Sequence, residues 1–238
     1  DGRIPVICGG GKGSPEEIGS NIKKAGELGV NVAMVLIPTQ YAGDEAGALR
    51  FMLSVIELAQ DVDIIMQNAP TPIGAGLDSE ILARILSASP SIKYVKEEAL
   101  PSGPRITALN DAAADHLIGV IGGGGARYVI DELNRGAVAA MPAAEITDIH
   151  VKMWNAYKRG DVSEARNLYM RSLSLLVIQT IYRMRLTKYA LTKRGILSNS
   201  IVRAPLPEFD AFDEVELCTQ LESLSNCFDL APLTPVAL

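Results

Sequence analysis

The chain predicts an α/β fold built from parallel βα units, and three observations carry that prediction. Apolar, strand-like runs begin near positions 4, 33, 63, 92, 117 and 137, so a new strand starts every 20 to 30 residues. Each run is followed by a stretch with helical apolar spacing, the rhythm of parallel βα units. The apolar positions are filled by Ala, Ile, Leu and Val, with aromatics at only 5%. A closed (β/α)8 barrel needs eight strands. The six visible here give one only if two further βα units precede Asp1, whereas an open doubly wound sheet needs no further piece.

The elements follow in order. Ile4 to Cys8 reads as the first strand, turned by Gly9-Gly10-Gly11. Ser14-Pro15-Glu16-Glu17 then opens a helix, with Ser at the N-cap, Pro at the first helical position and Glu17 completing a capping box. Ala33 to Ile37 is the second strand, stopped by Pro38. A helix from Asp44 to Gln60 places Leu49, Met52, Leu53, Ile56 and Ala59 at helical spacing. Asp63 to Asn68 is the third strand, and a helix over Ser79 to Ala88 leads into the fourth at Ile92. A short helix near Ile106 to Ala114 precedes the fifth strand, Leu117 to Ile121. Four glycines follow, then a helix from Ala126 to Asn134 and a sixth strand, Ala137 to Met141. From Ala143 the pattern is all-helical: Glu145 to Tyr157, Val162 to Arg183, Leu186 to Arg194 and Glu214 to Leu224, before a Pro-rich tail. Residues 1–142 form the strand-bearing part and 143–238 a helical extension of the same domain, since no linker-like composition separates them.

Composition bounds the function. The 238 residues are 48% hydrophobic and 21% charged, enough for one large core. A net charge of −6 with no basic stripe argues against nucleic acid as a partner. No apolar run reaches membrane-spanning length, and a cytoplasmic protein is expected. Cys8, Cys218 and Cys227 are widely spaced and fit reduced thiols. His116 and His150 stand apart from carboxylate clusters, so no catalytic metal site is expected.

The stretch that points to chemistry is Ile92-Lys93-Tyr94-Val95-Lys96-Glu97-Glu98. Burial in a strand disfavours an ammonium. A neutral amine at the end of such a strand attacks a ketone to form a Schiff base. The plainer reading is a strand-end lysine neutralised by Glu97.

Five stretches decide between them. Gly2 to Ile7 with its glycine turn, Val35-Leu36-Ile37-Pro38, Met66-Gln67-Asn68-Ala69-Pro70, Val95-Lys96-Glu97, and the tail motifs Leu186 to Leu191 and Arg203 to Leu206 together resemble the dihydrodipicolinate synthase/N-acetylneuraminate lyase superfamily of class I pyruvate aldolases. The resemblance implies a (β/α)8 barrel whose strands three to eight are present, with a C-terminal helical extension. It implies that Lys96 forms the imine, with no metal or cofactor. Gly123 falls where backbone approaches the bound keto acid, and a Cβ there would block it. Gln67 stands where the family has its catalytic tyrosine, Gln40 where the synthase branch has a partner-subunit tyrosine, and Met141 ends the last strand. These residues are expected to bind substrate. A homo-oligomer, a tetramer by the same resemblance, is expected.

The departures set the chemistry. An amide is no acid or base near neutral pH, whereas a carboxylate in an apolar mouth is. Period-two alternation puts Lys96 and Glu98 on one face of their strand, so Glu98 replaces the missing tyrosine. Gly125 and Ala126 lie where the lyase branch holds a sugar polyol, so a short substrate is expected. The leading expectation is dehydration of a short 2-keto-3-deoxy sugar acid. Lys96-x-Glu98 most resembles the branch converting 2-keto-3-deoxy-L-arabonate to 2-oxoglutarate semialdehyde. Retro-aldol cleavage to pyruvate and an aldehyde, and a non-catalytic keto-acid-binding role, are the alternatives.

Overall fold

The computed structural model describes residues 3–112 and 115–229. The proline-rich tail, read above as closing the chain, begins at the edge of the described residues and lies otherwise outside them.

Six strands and nine α-helices are arranged in strict sequence among the described residues. Strand β1 (Ile7–Gly9) is followed by α1 (Pro15–Glu27), β2 (Val32–Leu36), α2 (Glu45–Ala59) and β3 (Asp63–Asn68). Then come α3 (Ser79–Ser87), β4 (Ile92–Glu97), α4 (Ser102–Asp111), β5 (Gly119–Gly122), α5 (Val129–Asn134) and β6 (Ala139–Ala140). Four helices follow: α6 (Thr147–Lys158), α7 (Val162–Tyr182), α8 (Met184–Lys193) and α9 (Ala211–Ser223). The sheet order is β1-β2-β3-β4-β5-β6, and every pairing is parallel. A doubly wound sheet reverses its strand order at a switch point. No reversal occurs here, so that alternative falls.

The chain divides into two compact units. The first runs up to Gly124 and includes Asp131–Ala140, and the second comprises Gly125–Ile130 and everything from Met141 on. The first holds the whole sheet. Its core is aliphatic: Ile64, Ile65 and Met66 of β3, Ile92 and Val95 of β4, and Val120 of β5 are all buried. Helix α1 begins as its residues dictate, with Ser14 accepting from the Glu17 N–H and the Glu17 carboxylate accepting from the Ser14 N–H. In the second unit, α6, α7, α8 and α9 bury Ile149, Met153, Leu168, Leu175, Leu176, Leu186 and Leu217. No helix among the described residues is long and apolar enough to cross a membrane.

The reading of the first strand needs correction, and that of α2 needs completing. The first strand is only Ile7–Gly9, and Ile4 and Val6 are exposed, at 75% and 63%. Among the described residues β1 pairs with β2 alone, through Ile7↔Val32, Cys8↔Ala33 and Gly9↔Met34. Strand β2 begins only at Val32, opposite Ile7, so the apolar residues before Ile7 have no partner on β2. In α2 the buried stripe is Ala48, Phe51, Met52, Val55 and Ala59, while Leu53 is exposed. The helix is apolar on more than one side, so spacing alone does not say which stripe faces the sheet.

Candidate active site

The carboxyl ends of β3, β4 and β5 bring the chemistry together within the first unit. Gln67 and Lys96 are register partners on adjacent strands, and Lys96 pairs in turn with Ile121. Side chains in register on neighbouring parallel strands leave the same face of the sheet. Lys96 is 7% exposed, and its Nζ lies 3.2 Å from Oε1 of Glu98. The other oxygen of that carboxylate, Oε2, accepts from Nε2 of Gln67 at 2.5 Å. Glu98 lies one residue past β4, yet its backbone N–H still donates to the Asn68 carbonyl at 2.9 Å. The strand geometry therefore persists far enough to turn Glu98 to the side of Lys96.

Gly123 completes this side. A Cβ there would sit 2.2 Å from Cγ of Glu98. The glycine at this position makes room for the Glu98 side chain, a nearer reason than the approach of a substrate.

On the opposite face, Glu97 is fully buried and does not neutralise Lys96. Its Oε2 lies 3.2 Å from Nε of Arg105 on α4. Asn68 donates through Nδ2 to both carboxylate oxygens at 3.1 and 3.0 Å, and the Ala99 N–H donates to Oε1 at 2.7 Å. Desolvation nevertheless raises the Glu97 pKa, against the lowering effect of Arg105 and these hydrogen bonds. Asn68 also exchanges hydrogen bonds with the backbone of Leu77, and Arg105 donates to the Leu77 carbonyl. The loop between β3 and α3 is thus tied to the end of β4.

Not every predicted residue joins the cluster. Gln40 lies exposed on a short 3-10 turn, Thr39–Tyr41, whose Thr39 hydroxyl instead donates to the Pro72 and Gly74 carbonyls at 2.8 and 3.0 Å. Met141 follows β6 and belongs to the second unit. Sequence reasoning missed Arg105, Ser102 and Glu132. A signal for Arg105 existed, because alternation turns Glu97 to the helix-covered face, where a carboxylate needs a cation.

A sequence profile of the dihydrodipicolinate synthetase family matches residues 1–223. The chain belongs to that family. It is 26% identical over 212 residues to a 4-hydroxy-tetrahydrodipicolinate synthase of Methanosphaerula palustris, a match covering 88% of this chain and 71% of the relative. A synthase of the same description from Listeria monocytogenes is 25% identical over 227 residues, covering 95% and 76%. Among solved structures, a dihydrodipicolinate synthase from Rhodopseudomonas palustris superposes with a TM-score of 0.86 at 23% identity, covering 94% of this chain and 76% of that one. A prophage protein of the family from Escherichia coli, solved in complex with pyruvate, gives 0.81 at 21% identity, covering 94% and 76%. At these identities the structural likeness speaks for the fold, and family membership supports a lyase of the aldolase type.

Proposed function

We propose that this protein is a Schiff-base lyase that dehydrates a short 2-keto-3-deoxy sugar acid, 2-keto-3-deoxy-L-arabonate being the substrate its site suits best. The observation that carries the reading is the Lys96–Glu98–Gln67 triad: an amine, a carboxylate 3.2 Å from it, and an amide that orients the carboxylate. Nζ of Lys96 attacks C2 of the keto acid, and water leaves to give the imine, which serves as the electron sink. The Glu98 carboxylate takes a proton from C3, forming the enamine. Now protonated, it delivers that proton to the C4 hydroxyl, which leaves as water while the enamine electrons form the C3–C4 double bond. A proton shift from C5 to C3 then turns the C3–C4 alkene into the C4–C5 enol, which tautomerises to the C5 aldehyde, and hydrolysis of the imine by water releases 2-oxoglutarate semialdehyde and restores Lys96. Gln67 holds Glu98 throughout and carries no proton in either direction.

The sequential parallel sheet supports a (β/α)8 barrel, with β1 to β6 as its strands three to eight. In such barrels the carboxyl ends of the strands form the active-site face, which is where Lys96, Glu98 and Gln67 lie. A second reading, aldol cleavage or condensation with pyruvate, is favoured by the synthase relatives and by the pyruvate complex in the family. It shares every step up to the imine.

Two measurements test the proposal. Incubation with pyruvate and borohydride is expected to convert Lys96 to a stable secondary amine, seen by peptide mass spectrometry. No label, or a label elsewhere, removes the imine. Product analysis with five-carbon 2-keto-3-deoxy acids then separates the reactions. The semialdehyde of 2-oxoglutarate is expected, whereas pyruvate with a two-carbon aldehyde would establish the aldol reading instead.

A further inference from the structure

Behind the imine site, on the other side of β5, lies a carboxyl group that the proposed mechanism does not use. Glu132 of α5 is 1% exposed. Its Oε1 accepts from the Ser102 hydroxyl at 2.7 Å, and its Oε2 is buried without a hydrogen-bond partner among the described residues. A Cβ on Gly122 would lie 2.1 Å from that Oε2, just as one on Gly123 would lie 2.2 Å from Cγ of Glu98. Successive strand residues face opposite sides. The two glycines at the end of β5 therefore separate two carboxyl groups by a single layer of backbone.

The charges around Glu132 leave it uncompensated. From the end of β4 and the residue after it, it meets the fields of Glu97 and Glu98, and from its own helix that of Asp131, all negative. The cations of the neighbourhood are engaged: Lys96 with Glu98, Arg105 with Glu97, and Arg135 with Asp131. From α4 it receives only the Ser102 hydrogen bond. A buried charge without a partner is strongly disfavoured, so the neutral acid is favoured until the pH reaches about 7.

We propose that Glu132 is a positioning residue of the imine site: an unpaired carboxyl packed under the Gly122–Gly123 end of β5, whose ionisation adds a negative charge behind Glu98 and so slows imine formation by Lys96. This rests on the imine reading given above. The physical step is electrostatic. A new negative charge on the far side of β5 favours the ammonium of Lys96 over the free amine, and only the free amine attacks a ketone.

The test is the rate at which pyruvate and cyanoborohydride trap Lys96, measured from about pH 6 to 9 on the wild type, E132Q and S102A. In the wild type the rise of rate with pH is expected to break near pH 7, where Glu132, raised chiefly by desolvation, loses its proton. E132Q keeps the shape and the Ser102 contact but never acquires the charge. Its rate is expected to climb without the break and to exceed the wild type about three- to tenfold beyond it. The Ser102 hydrogen bond lowers the Glu132 pKa, so S102A is expected to move the break to higher pH. A merely structural Glu132 would change the amount of folded protein and not the position of the break. An E132Q profile that superimposes on the wild type overturns the proposal. If E132Q does not fold, an unmoved break in S102A does the same. Absence of trapping in the wild type at every pH would be a failure of the imine reading itself, and this inference would fall with it.

Discussion

Lys96 and Glu98 are two positions apart, and their pairing turns on whether β4 stays extended past its last ladder residue. It does, because the Glu98 N–H still finds the Asn68 carbonyl. The consequence is a carboxylate held by an ammonium on one oxygen and an amide on the other. Glu98→Gln keeps the shape but removes the titrating group. General acid–base catalysis contributes about 10²–10⁴-fold, so turnover is expected to fall by that order while borohydride trapping at Lys96 persists. Gln67→Ala removes only an orienting donor and is expected to cost less. Steady-state kinetics of the two variants, compared with their trapping yields, checks the ranking. The reverse order would take the proton shuttle away from Glu98. This pair was legible because period-two alternation is local. Glu132 was not, since nothing in the spacing of α5 says that its carboxyl packs against a glycine of β5 ten residues earlier.

At the scale of elements, the end of β4 is fixed from its other face by Glu97, Asn68 and Arg105. Arg105 comes from the first turns of α4 and meets a fully buried carboxylate at 3.2 Å, while Asn68 comes from the end of β3. The same two side chains hold Leu77, so the β3–α3 loop, β4 and α4 share one polar knot. Arg105→Ala is expected to destabilise the protein by about 3–5 kcal/mol, the cost of leaving one partner of a buried pair behind. The loss is expected to shrink as pH falls, because the stranded Glu97, already raised by desolvation, escapes by taking up a proton. Chemical denaturation at two pH values reads both effects, and a pH-independent loss would mean that Arg105 acts through packing alone. The sequence marked β3 correctly at Asp63–Asn68 and the start of α1 at its capping box. It ran β1 too far upstream, and the helical spacing in α2 did not single out the buried stripe. Caps and alternation are properties of a few neighbouring residues, whereas the extent of a strand depends on the strand beside it.

For the molecule as a whole, buried ionisable groups pull stability in opposite directions along the pH scale, and they do so in different units. In the first unit desolvation raises both Glu97 and Glu132, the latter to about 7. In the second, desolvation raises Glu145 and lowers His150 to about 4. A carboxyl whose folded pKa exceeds its ordinary value binds more protons folded than unfolded. Its stabilisation is complete below the ordinary pKa of 4.5 and is lost as pH rises through about 7. His150 is the reverse: held neutral when folded, it stabilises above its ordinary 6.5 and ceases to as pH falls towards about 4. The first unit therefore weakens steadily from acid to neutral pH, while in the second the two trends oppose each other. Glu132→Gln takes one raised carboxyl out of the first unit without touching the second. Relative to the wild type, the variant is expected to gain stability from about pH 4.5 to 7 and no more beyond, with a ceiling on the order of 3 kcal/mol. Amide hydrogen exchange compared at two pH values gives the gain unit by unit. It is expected in the strands β3 to β5 and absent from α6 to α8. A gain spread evenly over both would mean that the chain opens as one body, and a variant less stable than the wild type at pH 8 would mean that Glu132 has a cationic partner after all.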